Sequence, residues 1–257
     1  MKRLISFVIR YVPRKYLQRV SGIALKTLSV FYSGNDVECP VCDSTFRKFL
    51  PYGRVPRPNV LCPSCQSLER HRLIWLYLKN KTNFFIASNT VLHVAPEDCF
   101  IHRFEKMPNL DYITGDIESP LAKVKMDIHS IPFEDNTFDV AFCNHVMEHV
   151  EDDIMAMSEL YRVLKPGGWA IIQIPLFHPL KDSTYEDASI TDPKEREKAF
   201  GQSDHVRLYG KDYADRLRKG GFEVTEDWYV KELEPVLAER FRLPMDEPIF
   251  FCRKTLD

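Results

Sequence analysis

The chain has 257 residues, 35 Lys and Arg against 37 Asp and Glu, and an apolar fraction of 44 %. Such a composition excludes a disordered or fibrous chain and suits one large α/β domain, alone or with a small attachment. No run approaches the ~18 apolar residues of a membrane span, and the formal charge of −2, taken as an average, argues against a charged partner.

The average hides an asymmetry. Residues 1–72 hold 13 Lys and Arg against 4 Asp and Glu, whereas residues 73–257 hold 22 against 33. The opening segment, residues 1–35, joins a basic set (Lys2, Arg3, Arg10, Arg14, Lys15, Arg19, Lys26) to apolar residues at helical spacing: Leu17, Val20, Ala24, Leu28 and Phe31. An amphipathic helix is expected there. It either packs on the protein's own body or lies on anionic lipid through residues 1–32, where each cation near the surface adds ~1 kcal/mol. No cleavage site follows the Leu4–Ile9 stretch, so the expected location is cytoplasmic, with peripheral contact at the inner face of the membrane.

Residues 36–75 carry the next signal. Cys39, Cys42, Cys62 and Cys65 form C-x2-C-x19-C-x2-C, each pair punctuated by proline, which is the spacing of a four-thiolate zinc site. Two disulfides are the alternative. Short strands are expected around Thr45–Leu50 and Asn59–Leu61. Ser67 is the expected cap of a helix through SLERHRLIWLYLKN. Cys99, Cys143 and Cys252 stand singly and read as core residues.

From residue 76 onward, short apolar strands alternate with helices. The expected strands are Val91–Ala95, Tyr112–Thr114, Phe138–Cys143, Trp169–Ile174, Phe222–Tyr229 and Pro248–Cys252. The clearest helices are Asp152–Leu164, ended by Lys-Pro-Gly-Gly, and Lys211–Lys219. This alternation implies an α/β fold with a doubly wound, mainly parallel sheet whose site lies at the carboxyl ends of the strands. The polar, proline-broken stretch 177–209 suits a lid or substrate-binding insertion.

The blocks DIHSIPFEDNTFDVAFCNHVMEHV (127–150) and ELYRVLKPGGWAIIQIP (159–175) carry a family resemblance. In this order they resemble class I S-adenosylmethionine-dependent methyltransferases, above all the type 11 group. The resemblance implies a Rossmann-like, seven-stranded methyltransferase sheet, here preceded by a zinc-ribbon-like module and the basic helix. It implies that Asp127 accepts from the adenine amino group, that Ile128 offers backbone and apolar contact to the ring, and that Asp116 binds the ribose hydroxyls. Asn144 and His145 would approach the methionine portion. At the first strand this chain departs from the family. His93 stands where an acid is usual, and Ala95, Glu97 and Cys99 stand where glycines are; Ala95 could still admit the cofactor, and Glu97 could reach its amino group. Glu148 and His149 read as the start of a helix.

Methyl transfer needs positioning and, for a hydroxyl acceptor, a base within reach. The expected candidates are His178 and His205, with Tyr185 and Arg207 orienting a polar substrate. Arg70 and His71 read as either capping the site or joining two domains. The expected acceptor is a hydroxylated small molecule or surface-glycan intermediate. Some rRNA guanine methyltransferases share the four-cysteine layout, and the basic first 72 residues fit phosphate contacts. Against RNA stand the acidic domain and the few aromatics between the cysteine pairs (Phe46, Phe49, Tyr52). A non-catalytic adaptor with a degenerate cofactor loop is the third reading.

Overall fold

The computed structural model describes residues 29–53 and 55–256. The basic helix and its membrane-facing side, expected in residues 1–32, lie outside these residues as far as residue 28. Among the described residues no helix is long and apolar enough to cross a membrane.

The chain folds as two compact units, one of residues up to 82 together with 230–246, the other of 83–229 together with 247–257. The expected division at residue 75 therefore falls inside helix α1 (Glu69–Lys81), and the segment 230–246 returns to the first unit. In that unit β1 (Ser33–Cys39) pairs with β2 (Ser44–Phe46), and β3 (Leu50–Tyr52) with β4 (Arg57–Leu61), both antiparallel. Each Cys-Pro-x-Cys turn ends on a left-handed residue, Asp43 (φ 53°) and Gln66 (φ 62°). Their amide groups donate back to the carbonyls of Cys39 and Cys62 at 2.8 and 3.0 Å, so both loops close in the same way.

Ser67 does not cap α1. Leu68 takes that position, and the Ser67 hydroxyl lies 3.1 Å from Cys39 Sγ and 3.2 Å from Cys65 Sγ instead. The α1 residue that organises this unit is Arg72, fully buried with its guanidinium 4.5 Å from the Phe49 ring centroid. It donates to the carbonyls of Val60, Ser67, Phe241 and Arg242 at 2.6–3.0 Å, tying the cysteine loops to the segment after α6 (Pro235–Phe241).

The second unit is built on seven strands in the order β12-β13-β9-β8-β5-β6-β7. They are β5 (Asn89–Val94), β6 (Leu110–Asp116), β7 (Val124–Lys125), β8 (Phe138–Asn144), β9 (Leu164–Gln173), β12 (Glu223–Asp227) and β13 (Ile249–Arg253). The first five run parallel, while β13 is antiparallel to both neighbours. The strand β8 is buried almost throughout, as a central parallel strand must be. β9 starts at Leu164 rather than Trp169. Leu164 pairs with Phe138 directly after α3 (Asp153–Val163), and the Pro-Gly-Gly step is absorbed by a shift in register.

Alternation divides the core between the two faces. Leu92, Val94, Ala141, Cys143, Ala170 and Ile172 join one cluster with Met157, Leu160, Tyr213 and Phe250. On the other face Phe84, Phe104, Phe142 and Trp169 pack edge to face or stacked. Cys99, Cys143 and Cys252 are buried as expected. The order reverses between β5 and β8, and at such a switch point the loops at the strands' carboxyl ends open a crevice.

Arg72→Lys tests the first unit. An ammonium group cannot serve four separated carbonyls, and stranded buried acceptors should cost about 3 kcal/mol in urea unfolding.

Candidate functional site

The crevice begins where β5 ends. Ala95 takes a left-handed backbone (φ 49°), a conformation usual for glycine, and its amide donates to Gly115 O at 2.9 Å. Glu97 precedes α2 (Asp98–Phe104) and does not stand free for a ligand. Its Oε2 meets His93 Nε2 at 2.5 Å, and its Oε1 accepts from Asn144 Nδ2 at 3.1 Å. His93 is correspondingly not a crevice residue. It lies on the aromatic face of the sheet, fully buried, with its Nδ1 2.7 Å from the Tyr112 hydroxyl. The expected cofactor contact at His93 is thus replaced by a chain running Tyr112–His93–Glu97–Asn144, which fixes the ends of β5 and β8 relative to each other.

Asn144 is buried, and its Oδ1 has no hydrogen-bond partner among the described residues. His145 follows in a left-handed conformation (φ 56°), its amide bonded to Gln173 O at 2.7 Å. At the end of β6, Asp116 Oδ1 accepts from the amides of Glu118 and Ser119 at 2.7 and 2.6 Å, which orients the carboxylate. Asp127 is exposed. Its Oδ1 accepts from the His129 amide and lies 2.8 Å from the ring Nδ1, and the amide bond leads in holding its pKa below the usual carboxylate range. The Ile128 side chain is buried in the core cluster.

The insertion contributes β10 (Tyr185–Glu186), α4 (Pro193–Phe200) and β11 (Arg207–Leu208). Arg207, expected to orient a substrate, is buried and committed to structure. It donates to the carbonyls of Met147, Val150 and Glu151 at 2.6–2.8 Å and to Glu186 at 2.9 Å. Tyr185 packs on Phe200, with Lys181 Nζ 4.4 Å from its ring centroid. His178, beyond β9, is exposed. His205 is buried, and burial lowers its pKa. Its ring lies 4.8 Å from that of His149. Glu148 and His149 do not begin a helix; they form a turn, and α3 starts at Asp153, capped by Asp152 accepting from Met155 N at 2.9 Å. Sequence reasoning therefore missed the meeting of Glu148, His149 and His205. Its only linear signal is the extra histidine in His145-x-x-Glu-His149.

In the first unit the four thiols converge. Cys39 and Cys65 sulfurs are 3.6 Å apart, those of Cys42 and Cys62 3.7 Å, and all four lie within 4.8 Å of one another. A tetrahedral ion with 2.3 Å metal–sulfur bonds would set edges of about 3.8 Å. All seven cysteines are free, and these separations are too long for disulfides.

Residues 86–172 match the family model of a methyltransferase domain. That stretch runs from before β5 nearly to the end of β9 and so includes the crevice residues named above. A sterol 4-C-methyltransferase of Caenorhabditis elegans is 35 % identical over 88 residues, 34 % of this chain and 25 % of that protein. A ubiquinone/menaquinone biosynthesis C-methyltransferase of Cronobacter sakazakii is 35 % identical over 79 residues, 30 % of each. The chain spans 15–30 % of the length of such curated relatives. An S-adenosylmethionine-dependent methyltransferase structure from Mesorhizobium loti is similar at 17 % identity, over 70 % of this chain and 97 % of that one, with a TM-score of 0.46.

Asp153 joins the insertion to this domain, accepting from Arg216 at 2.6 and 2.8 Å and from the Tyr209 hydroxyl at 2.8 Å. Burial raises its pKa, but the bonds from Arg216 and Tyr209 and the field of Arg207 outweigh it, and the net shift is downward from 3.8. A lowered carboxylate pKa contributes stability that is complete above the unfolded value and is lost as pH falls through the folded one. Asp153→Asn should therefore cost about 3 kcal/mol at pH 7. The gap to the parent should shrink below pH 4 in unfolding curves taken across that range.

Proposed function

We propose that the chain is an S-adenosylmethionine-dependent methyltransferase that holds its cofactor in the β5/β8 crevice and acts on a hydroxylated small molecule. The observation that carries the reading is the methyltransferase-domain match over residues 86–172, the segment from which the crevice is built. The fit of the crevice supports it. Asn144 Oδ1 is a buried acceptor without a partner, suited to a cofactor ammonium or hydroxyl donor. Asp116 is oriented through Oδ1, which leaves Oδ2 for ribose hydroxyls, and the exposed Asp127 can accept from an adenine amino group. Ala95 brings the main chain close to the crevice without a bulky side chain.

When bound, the cofactor supplies a methyl group activated on a sulfonium. The protein's own contribution is then placement. Glu97 positions Asn144, and the insertion after β9 is the surface proposed to align an acceptor. For an oxygen acceptor, the exposed His178 is the group proposed to take the proton. The curated relatives named for sterol and quinone methylation favour a small organic acceptor over RNA.

For the first unit we propose a structural zinc ion held by Cys39, Cys42, Cys62 and Cys65. The sulfur separations match a tetrahedral thiolate site, and the Ser67 hydroxyl stands beside two of the sulfurs. So small a unit depends on such an ion for folding energy.

Isothermal titration with S-adenosylmethionine should show one saturable site. Asn144→Ala and Asp116→Ala should each weaken binding about 10- to 100-fold, the loss of one hydrogen bond to a charged or buried group. No heat of binding to folded, zinc-loaded protein would overturn the methyltransferase reading. A thiol-blocking mercurial should release one zinc per chain from the parent and none from Cys39→Ser combined with Cys62→Ser. Equal release from both would remove the zinc assignment.

A further inference from the structure

We propose that Glu148, His149 and His205 form a binding site for a divalent first-row transition-metal cation, separate from the four-cysteine cluster. One ligand atom from each residue lies within 4.8 Å of the other two. The side-chain chemistry is a carboxylate and two imidazoles, the donor set of His2Glu metal centres.

Hydrogen bonding has already sorted the ring nitrogens. His205 Nδ1 lies 3.2 Å from Phe200 O, and His149 Nδ1 lies 3.2 Å from Asp204 O. A carbonyl only accepts, so each Nδ1 carries a proton and Nε2 is the ring nitrogen turned toward the shared space. This is the way metal-bound histidines are oriented by partners behind them. The two Nε2 atoms and the carboxylate share one neighbourhood, with His149 Nε2 at 3.9 Å from Glu148 Oε1. That separation is too long for a hydrogen bond between them.

Glu148 is 2 % exposed and His205 1 % exposed, and among the described residues neither Glu148 Oε2 nor His205 Nε2 has a hydrogen-bond partner. A buried carboxylate oxygen beside a buried imidazole nitrogen is costly with nothing positive between them. A cation satisfies both. His145 Nδ1, 3.4 Å from Glu148 Oε1, is a further ligand in reach.

The surroundings hold these groups in place. The Val206 amide donates to Glu148 O at 2.9 Å, and Arg207 fastens the carbonyls of Met147, Val150 and Glu151. The turn carrying Glu148 and His149 is thereby locked to the segment carrying His205. His149, with its side chain 36 % exposed, is the ligand nearest solvent.

The probe is Co2+ added to full-length protein carrying one zinc per chain, an amount that fills the four-thiolate site and leaves none for a second. Calorimetry and equilibrium dialysis should find one Co2+ per chain, and thermal unfolding should shift upward with Co2+. His149→Ala, at a half-exposed position, should fold as the parent does and bind Co2+ at least 100-fold more weakly. His205→Gln and Glu148→Gln should do the same. Failure of the zinc-loaded parent to bind Co2+ up to millimolar concentration overturns the proposal, and so does undiminished affinity in His149→Ala. Neither result bears on cofactor binding, which is measured separately.

Discussion

The Glu97 carboxylate is the contact on which the crevice depends. One oxygen receives a ring nitrogen of His93 from the aromatic face of the sheet, and the other receives the amide of Asn144 at the end of β8. In a doubly wound sheet the ligand crevice is only as well defined as the spacing between the two strand ends at the reversal of order. In glycine-rich versions that spacing follows from a tight main-chain turn. Here a buried side-chain chain does the work, and it extends down to Tyr112 on β6. A histidine at this place in β5 is thus structurally matched, because its partner lies four residues further along the same chain.

The same economy governs the insertion. Residues 177–209 look like a flap in the sequence, yet their distal end is fastened by Arg207 to three carbonyls of the turn after β8, and by Glu186 to both Arg207 and Arg216. Charged groups buried to this degree require partners, and main-chain carbonyls meet that need without adding a counter-charge.

The central strands β5, β6, β8 and β9, the last strands β12 and β13, helix α3 and the paired Cys-Pro-x-Cys loops are legible as local patterns, whereas β1 and the two-residue β7 carry too little alternation to announce themselves. Period-two alternation announces strands, but it does not announce which face is which. That is why the pattern places His93 on a strand without showing that it lies, buried, on the aromatic face of the sheet. Ser67 had the residue type of a cap, and its proximity to two sulfurs became visible only in three dimensions. Arg72 and Arg207 were illegible in a different way. Most or all of their partners are main-chain carbonyls, which carry no residue signature. The grouping of Glu148 and His149 with His205 spans more than 50 positions and depends on the register of the insertion.

The two units are interleaved along the chain, and this has a consequence for the order of events during synthesis. Arg72 finds one of its acceptors at Phe241, 169 residues later. At ~5–20 residues per second, a ribosome needs on the order of 10–30 s to supply it. During that interval the cysteine loops must be kept together without their closing segment. Thiolates already gathered around an ion would keep the nascent piece native-like until its missing strap emerges.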